Sequence, residues 1–318
     1  MTNEAMIAIG VVLAIGMITG LLASKRLKAS YRNELLDTGL RAIDLFLPIP
    51  AGGDILLTGD TESGTVVLAN ELAFRFQQSG RHHVVYYVDD ALPDADTRYA
   101  ELKELLPNLS EMRLILMISE TELQEQLATA GRRDVVVFVA TESERFMQTF
   151  RDIVRQIRET VPVTSTLTLL YVSEHTSTSP FDTTIFSSRL IAKEGIYPAI
   201  DLRVSTSSAW DRLSITSRRR DTANAAADAV RSVTKSLYAG SVQDPDWVFY
   251  RDTMQRPALQ ALCFLSQPYF TAEVYTGKKA AWISVDQAVR SYADILSGSR
   301  RATPANRFLY QNELPPSE

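Results

Sequence analysis

The sequence is poor in the residues that form disulfides and metal sites. Cys263 is the only cysteine among 318 residues, which excludes an intrachain disulfide and a thiolate metal cluster. Its neighbours are apolar, so we expect a buried and unreactive thiol. There are three histidines, and the adjacent pair His82 and His83 has no nearby carboxylate at the spacing of metal ligands. We therefore expect no metal site.

The sequence also lacks an excess of positive charge. Lys and Arg number 33 against 38 Asp and Glu, which gives a net charge of −5. Nucleic-acid-binding domains usually carry a basic stripe, so we expect no nucleic-acid partner. With 318 residues, of which 45% are apolar, the chain is long enough for one large or two ordinary domains with a substantial core.

Charge is absent from residues 5–24. At about 1.5 Å per residue, a helix of this length spans the roughly 30 Å hydrocarbon core of a membrane. A cleaved signal peptide is the alternative, but such peptides begin with positive charge, and the first four residues, MTNE, contain none. Positive charges follow the run instead, at Lys25, Arg26, Lys28 and Arg32. The positive-inside rule then predicts a single-pass anchor, with the N-terminus outside and the remaining chain on the cytoplasmic, matrix or stromal side.

Short β-rich runs alternate with helical patterns after the basic segment. The predicted strands are Ile55–Thr58, Val84–Val88, Leu114–Ile118, Val135–Val139, Thr166–Val172 and Ile200–Val204. The predicted helices are 65–79, 97–106, 121–130, 143–159, 183–193, 221–238, 256–265 and 284–297. Such alternation indicates an α/β domain with a mainly parallel sheet, and only helices follow residue 221. We therefore divide the chain into an anchor with its basic segment (1–30), an α/β domain (31–217) and a C-terminal helical domain (218–318).

A polar turn between the first predicted strand and the first predicted helix has the outline of a phosphate-binding loop. The pattern of such loops is Gly, four residues, Gly, Lys, then Ser or Thr. Gly59 and Gly64 have this spacing, but Thr65 stands at the Lys position and Val66 at the Ser/Thr position. The degenerate loop consists of Gly59, Asp60, Thr61, Glu62, Ser63, Gly64, Thr65 and Val66.

Four separated stretches resemble the catalytic β subunit of the rotary F-type ATP synthases. They are residues 38–53, residues 135–146, GIYPAID at 195–201 with its flanks, and FLSQPY at 264–269 followed by AEVYTG at 272–277. The resemblance covers about residues 35–310. It implies a RecA-like P-loop NTPase domain followed by a helical domain. The turn GDTESG is also similar to that of the noncatalytic α subunit.

The chain departs from this family in two regions. The family's N-terminal β-barrel has no counterpart, because the predicted membrane helix stands in its place. The segment between Phe146 and Thr164 is shorter than in the family.

The resemblance also implies which groups would handle phosphate and magnesium, and most are replaced. Ala140 stands at the position of the magnesium-binding Asp, Ala91 at that of a phosphate-binding Arg, and Ser208 at that of the arginine finger. Asp90 stands at the position of the water-aligning Glu but is one methylene shorter, so we doubt that it acts as a base. Phosphoryl transfer depends on such charges, and an arginine finger alone contributes on the order of 10³–10⁵ in rate.

The resemblance also implies positions for adenine binding, and these still carry aromatic residues, unlike the replaced phosphate-binding positions. The resemblance places Tyr197 and Tyr275 on either side of an adenine ring, with Tyr269 nearby. Aromatic stacking does not depend on phosphate contacts. The alternative is that these tyrosines only fill the interface between the two domains. We therefore expect ATP or ADP to bind weakly if at all, and we do not expect magnesium to bind.

These observations favour a catalytically inactive, membrane-anchored subunit that resembles the ATP synthase β subunit. Its role would be structural or regulatory in an ATP synthase-like or other membrane complex. Its expected partners are ATP synthase-type α or β subunits or a second copy of the chain, together with the membrane. Two alternatives remain, namely a nucleotide sensor that binds ATP or ADP without hydrolysis and a slow, atypical ATPase.

Overall fold

The structure, a computed structural model, describes residues 34–89, 91–105, 125, 129–130, 133–158, 165–174, 177, 180–238 and 256–316. The predicted anchor at 5–24, Asp90 and the predicted strand Leu114–Ile118 lie outside these residues, as does most of the predicted helix 121–130. Within the described residues, no helix is both long enough and apolar enough to cross a membrane.

The described residues form a mixed α/β structure. The strands are β1 (Leu35–Leu36), β2 (Ile49–Pro50), β3 (Asp54–Gly59), β4 (His82–Val88), β5 (Asp134–Ala140), β6 (Leu167–Val172), β7 (Thr183–Ser187) and β8 (Thr206–Ser207). The helices are α1 (Arg41–Phe46), α2 (Thr65–Gln78), α3 (Ala95–Leu105), α4 (Glu144–Arg158), α5 (Arg189–Lys193), α6 (Ala209–Arg212), α7 (Ser217–Tyr238), α8 (Arg256–Cys263), α9 (Glu273–Thr276) and α10 (Val285–Leu296). Two 3₁₀ turns cover Phe270–Ala272 and Ala305–Phe308.

A six-stranded sheet with the order β4-β5-β6-β3-β7-β8 forms the centre of the structure. Every neighbouring pair in it is parallel except β7 and β8. The predicted mainly parallel sheet is therefore confirmed. Strand β3, which leads into the degenerate loop, lies between β6 and β7. In sheets of this type ligands bind outside the carboxyl ends of the strands, and the degenerate loop lies at that edge.

Strand β5 shows why the central strands could be predicted. Its residues Val135 to Ala140 are all buried, because the sheet is covered on both faces. Val136 and Phe138 pack in the core beneath α2, whereas Val137 packs in a second core with Phe150 of α4. An uninterrupted apolar run is the expected pattern for such a strand, and the strand could therefore be predicted from the sequence.

The predictions for the region 183–204 were wrong. The first part of the predicted helix 183–193 is strand β7, which is parallel to β3, and only its second part forms α5. The residues of β7 alternate between buried and partly exposed, which is a strand period that we misread as helical. The predicted strand Ile200–Val204 contributes one bridge residue and then a turn.

Asp201 explains why the predicted strand Ile200–Val204 ends. Its carboxylate accepts the backbone N–H of Arg203 at 2.9 Å, and the Arg203 side chain binds the same carboxylate through Nε and NH2. An Asp that binds the backbone two residues ahead favours a turn. Arg203 also lies 3.5 Å from the centre of the Tyr238 ring, which fixes the turn against the end of α7.

A buried ion pair on α2 connects the loop helix to the C-terminal segment. Glu71 and Arg75 are both fully buried, and Arg75 Nε donates to Glu71 Oε1 at 2.6 Å. The Glu71 carboxylate also accepts hydrogen bonds from the C-terminal segment. It accepts the backbone N–H groups of Phe270 and Thr271 at 3.0 Å each and the Thr271 hydroxyl at 2.9 Å.

Arg75 and Gln267 complete the same joint. Arg75 NH1 donates to the carbonyl oxygens of Gly39 at 3.1 Å and Ala281 at 3.3 Å. The Gln267 amide donates to the same two carbonyls at 2.8 and 3.0 Å, and its oxygen accepts the N–H of Arg41 at 3.0 Å. One apolar core also contains residues from both sides of position 217. The predicted α/β and helical domains are therefore packed into one body across this joint, and the boundary at 217 stays a prediction.

We expect Arg75→Met to destabilise the full-length chain strongly, because it leaves the Glu71 charge buried without its partner. Breaking a buried pair in this way costs about 3–5 kcal/mol. The matched control is Arg155→Met, since the Arg155–Asp152 pair is 66% and 64% exposed; it should change stability by less than about 0.5 kcal/mol. Urea unfolding followed by intrinsic fluorescence measures both. Equal losses for the two variants would contradict the role given to the joint.

Candidate functional site

The degenerate loop retains the backbone geometry of a turn between a strand and a helix. Gly64 has a φ of +86° and precedes the first residue of α2. At Gly59 a Cβ would lie 2.3 Å from the carbonyl oxygen of Ser187, so only glycine fits there. The N–H of Asp60 donates to that same carbonyl at 2.9 Å. The two glycines thus preserve the turn and its close approach to β7.

The side chains at the two diagnostic positions, Thr65 and Val66, carry no charge. Thr65, at the Lys position, is buried, and its hydroxyl lies 3.1 Å from the equally buried Ser63 hydroxyl. Both oxygens also lie within 2.8 Å of the space that a Cβ on Gly59 would fill. Val66, at the Ser/Thr position, has no polar side-chain atom. The turn therefore contains neither the cation nor the magnesium-binding hydroxyl that its outline would normally include.

The end of β5 carries no charged side chain at Ala140. This residue, where the resemblance implies a magnesium-binding Asp, is fully buried in the core beneath α2. The residue after it, Thr141, donates its hydroxyl to Asp89 Oδ2 at 2.6 Å. Within the part of the chain that the structure describes, no group of His, Cys, Asp or Glu side chains could hold a metal ion.

Carboxylates surround the loop at the carboxyl edge of the sheet. Glu142 accepts the Ser173 hydroxyl at 2.7 Å and the N–H of Glu174 at 2.8 Å. Glu174 in turn accepts the Thr61 hydroxyl at 3.3 Å. Asp60 accepts the backbone N–H of Arg189 at 2.9 Å. Three carboxylates, those of Glu142, Glu174 and Asp60, therefore lie along the edge where the strands end.

Ser208, where the resemblance implies an arginine finger, makes a structural contact within the chain. Its N–H donates to the carbonyl oxygen of Asp182 at 2.7 Å, directly before α6. The Arg212 guanidinium, one turn later, binds the Asp182 carboxylate. This arginine is thus already paired within the same chain.

An apolar cavity of about 260 Å³, here called the tyrosine cavity, lies beside the loop. Its lining residues are Val67, Tyr197, Gln267, Pro268, Tyr269, Ala272, Thr276, Lys278 and Tyr310. The structure thus brings together two of the three predicted adenine-side tyrosines, Tyr197 and Tyr269. It does not place Tyr275 there, because this side chain is 76% exposed on α9 and does not line the cavity.

Tyr197 connects the tyrosine cavity to the loop. Its ring lies 3.2 Å from the position that a Cβ on Gly64 would take, so the aromatic wall begins where the loop ends. The carbonyl oxygen of Tyr197 accepts the N–H of Gln267 at 2.9 Å. The cavity is therefore formed jointly by the α/β part of the chain and the C-terminal segment.

Tyr310 is a cavity residue that the sequence did not indicate. Its φ of +55° turns the chain toward the cavity, and its N–H donates to the Ser266 hydroxyl at 2.7 Å. Its hydroxyl donates to the carbonyl oxygen of Gly195 at 2.5 Å, and the Lys278 ammonium lies 3.7 Å from the ring centre. Burial and the neighbouring Tyr197 raise the pKa of Tyr310 to about 12, so the phenol stays protonated at neutral pH.

Cys263 and His82 were also singled out from the sequence, and both are buried. Cys263 is buried, as predicted, and burial raises the pKa of its thiol to about 12. His82 lies within β4 rather than before it, and its Nδ1 is 3.0 Å from the Ser79 hydroxyl. Burial is the main cause that lowers the pKa of His82.

Comparisons with known proteins identify the fold. No protein-family model matches the sequence. Among solved structures, the chain is similar to the ATP synthase subunit NeqB from Nanoarcheaum equitans, with a TM-score of 0.59 and 15% sequence identity over 83% of this chain and 76% of that one. At this identity the similarity concerns the fold alone. The chain therefore has an ATP synthase-related fold.

We expect the combined substitution Thr65→Lys, Val66→Thr and Ala140→Asp to raise the affinity for Mg-ATP roughly 10- to 100-fold, because a hydrogen bond to a charged group contributes about 1.5–3 kcal/mol. Calorimetric titration measures the change. The matched control carries Thr65→Met in place of Thr65→Lys, because methionine has a similar length but no charge, and it should bind Mg-ATP more weakly than the variant with lysine. An affinity of the lysine variant no higher than that of the unmodified chain would show that the loop no longer accommodates phosphate.

Proposed function

We propose that this chain is a catalytically inactive, membrane-anchored subunit of an ATP synthase-like complex, with a structural or regulatory role. The observation that carries the proposal is the combined loss of charged groups at the carboxyl edge of the sheet. Thr65 and Ala140 are both buried where the resemblance implies a phosphate-binding Lys and a magnesium-binding Asp. The carboxylates of Asp60 and Glu174 lie at the loop.

The size of these losses favours inactivity over slow catalysis. The loop Lys alone corresponds to about 1.5–3 kcal/mol, and each 1.36 kcal/mol is a factor of about ten in rate. The missing arginine finger would add on the order of 10³–10⁵. Together these factors argue against the slow, atypical ATPase.

A structural role is supported by what the chain retains. The joint of Glu71, Arg75 and Gln267 holds the C-terminal segment against the loop helix without any ligand. The similar fold of a protein described as an ATP synthase subunit supports membership in a protein complex. The partners we propose are ATP synthase-type α or β subunits or a second copy of this chain. Residues 5–24 would anchor it to the membrane, with residues 31–318 on the cytoplasmic, matrix or stromal side.

The tyrosine cavity supports a second candidate function, a nucleotide sensor that binds without hydrolysis. Tyr197 and Tyr269 face a common apolar space beside the loop. Ligand binding there would be sensed by both parts of the chain, since both contribute to the cavity wall. Magnesium has no part in this proposal.

The complex is tested by crosslinking in native membranes, followed by purification of the full-length chain in detergent. We expect ATP synthase-type subunits or a second copy of the chain to be recovered. A single-pass membrane protein of similar abundance is the background control. A chain that lacks residues 5–24 should still bind purified partner subunits, because the proposed contacts belong to the folded domain. Recovery of neither kind of partner would contradict the proposal.

A further inference from the structure

A second cavity, here called the amino-edge cavity, lies at the edge of the sheet opposite to the degenerate loop. Its volume is about 300 Å³, and His82 and Asp134, which begin the parallel strands β4 and β5 as register partners, both line it. The loop and the tyrosine cavity lie at the other edge, so this cavity is separate from them. We propose that the amino-edge cavity binds a small organic cation with primary ammonium groups, of the aliphatic diamine class.

The His82 side chain presents a hydrogen-bond acceptor to this cavity. The residue is 8% exposed, and its Nδ1 lies 3.0 Å from the Ser79 hydroxyl oxygen. That hydroxyl donates its one proton to the carbonyl oxygen of Phe76 at 2.7 Å, so the Ser79 oxygen accepts the proton of His82 Nδ1.

The other ring nitrogen of His82 is available to a ligand. Burial lowers the pKa of His82 and thereby favours the neutral ring. With the proton on Nδ1, Nε2 of the neutral ring is an acceptor. The described residues make no hydrogen bond to Nε2, and the side chain lines the cavity. A buried acceptor of this kind calls for an N–H or O–H donor from the molecule that fills the cavity.

Asp37 adds a carboxylate whose own hydrogen bonds are weak. It accepts the backbone N–H of Gly39 at 3.3 Å and the indole N–H of Trp282 at 3.4 Å, and both distances exceed the usual range for such bonds. Asp37 therefore retains acceptor capacity for a ligand that carries positive charge.

The charged side chains in the cavity lining are mostly carboxylates. They belong to Glu34, Asp37 and Asp134, and Arg81 is the one cation among the described lining residues. Glu34 and Asp134 have partners of their own, and Asp134 accepts the N–H of Thr166 at 2.7 Å. Asp37 and His82 are thus the acceptors that we assign to the ligand.

An extended cation fits this lining better than a metal ion does. Among the described residues, no group of His, Cys, Asp or Glu side chains could hold a metal ion. Leu35, Leu36 and Ala51 contribute apolar surface that suits methylene groups. The Trp282 indole also lines the cavity, and aromatic rings attract organic cations. Ammonium groups joined by a methylene chain match both kinds of surface.

The same chemistry occurs within this chain. Lys25, Arg26, Lys28 and Arg32 precede Glu34 in sequence and lie outside the described residues. A variant in which these four residues are replaced by glutamine therefore distinguishes a free amine from the basic segment of the chain itself.

The test is a calorimetric titration of putrescine into the full-length chain in detergent, at low salt and in a buffer without amines. Fully N-methylated putrescine keeps both charges but has no N–H donor, and butanediol keeps the methylene chain without charge. We expect putrescine to bind at least about tenfold more tightly than either compound, because hydrogen bonds that involve a charged group contribute on this scale. The four-glutamine variant should bind putrescine with unchanged affinity.

Substitutions of the lining locate the ligand. Asp37→Asn should weaken putrescine binding roughly tenfold, because it removes a charged acceptor and keeps the shape. The matched control is Asp228→Asn, since Asp228 is 76% exposed on α7, and it should change nothing. Arg81→Gln should strengthen binding, because it removes a cation. Thermal unfolding shows whether each variant is folded, and His82→Phe removes the second acceptor if Asp37→Asn does not fold.

Failure of putrescine to bind at millimolar concentration would overturn the proposal, as would equal affinity for the methylated analogue. Unchanged affinity in both Asp37→Asn and His82→Phe would place the ligand elsewhere and would also overturn it. Binding that appears only in the four-glutamine variant would assign the cavity to the basic segment of this chain and would contradict a free ligand.

Discussion

The buried ion pair between Glu71 and Arg75 is the constraint on which the rest of the structure depends. It lies on α2, the helix that begins at the degenerate loop, and its hydrogen bonds reach Gly39, Ala281 and the backbone at 270–271. The pair thereby fixes the C-terminal segment relative to the loop. The tyrosine cavity exists because of this placement, since its walls come from both sides of the joint.

The contrast between this joint and the loop shows how an ATP synthase-related fold can be stable without charged side chains at the phosphate-binding positions that the resemblance implies. A buried charge needs its partner whether or not a ligand is bound. Glu71 and Arg75 are therefore required for the stability of the fold even without a ligand. Charged groups that only contact phosphate have no such role in the folded protein. At Thr65 and Ala140 the side chains instead contribute to packing within the turn and the core. The carboxylates of Asp60 and Glu174 lie at the loop, and the tyrosine cavity beside it is lined by aromatic side chains.

The sequence was sufficient for the elements whose signals are local. The uniformly apolar strand β5 and the strand–turn–helix at Gly59 and Gly64 were predicted within one or two residues. The region 183–204 was mispredicted because its structure depends on pairing with β3 and on the Asp201 turn. Tyr310 could not be predicted, because its place in the cavity results from a positive φ and a hydrogen bond to Gly195, 115 positions away in sequence.

The central claim, that this fold has lost phosphoryl transfer, is tested most directly by a single-turnover assay. The full-length chain is mixed in excess with ATP labelled on its terminal phosphate, in the presence of magnesium, and phosphate release is followed for hours. The account predicts release no faster than in buffer alone. Release above that background that disappears in Asp90→Asn would contradict it, because it would show a working base at the position that the resemblance implies.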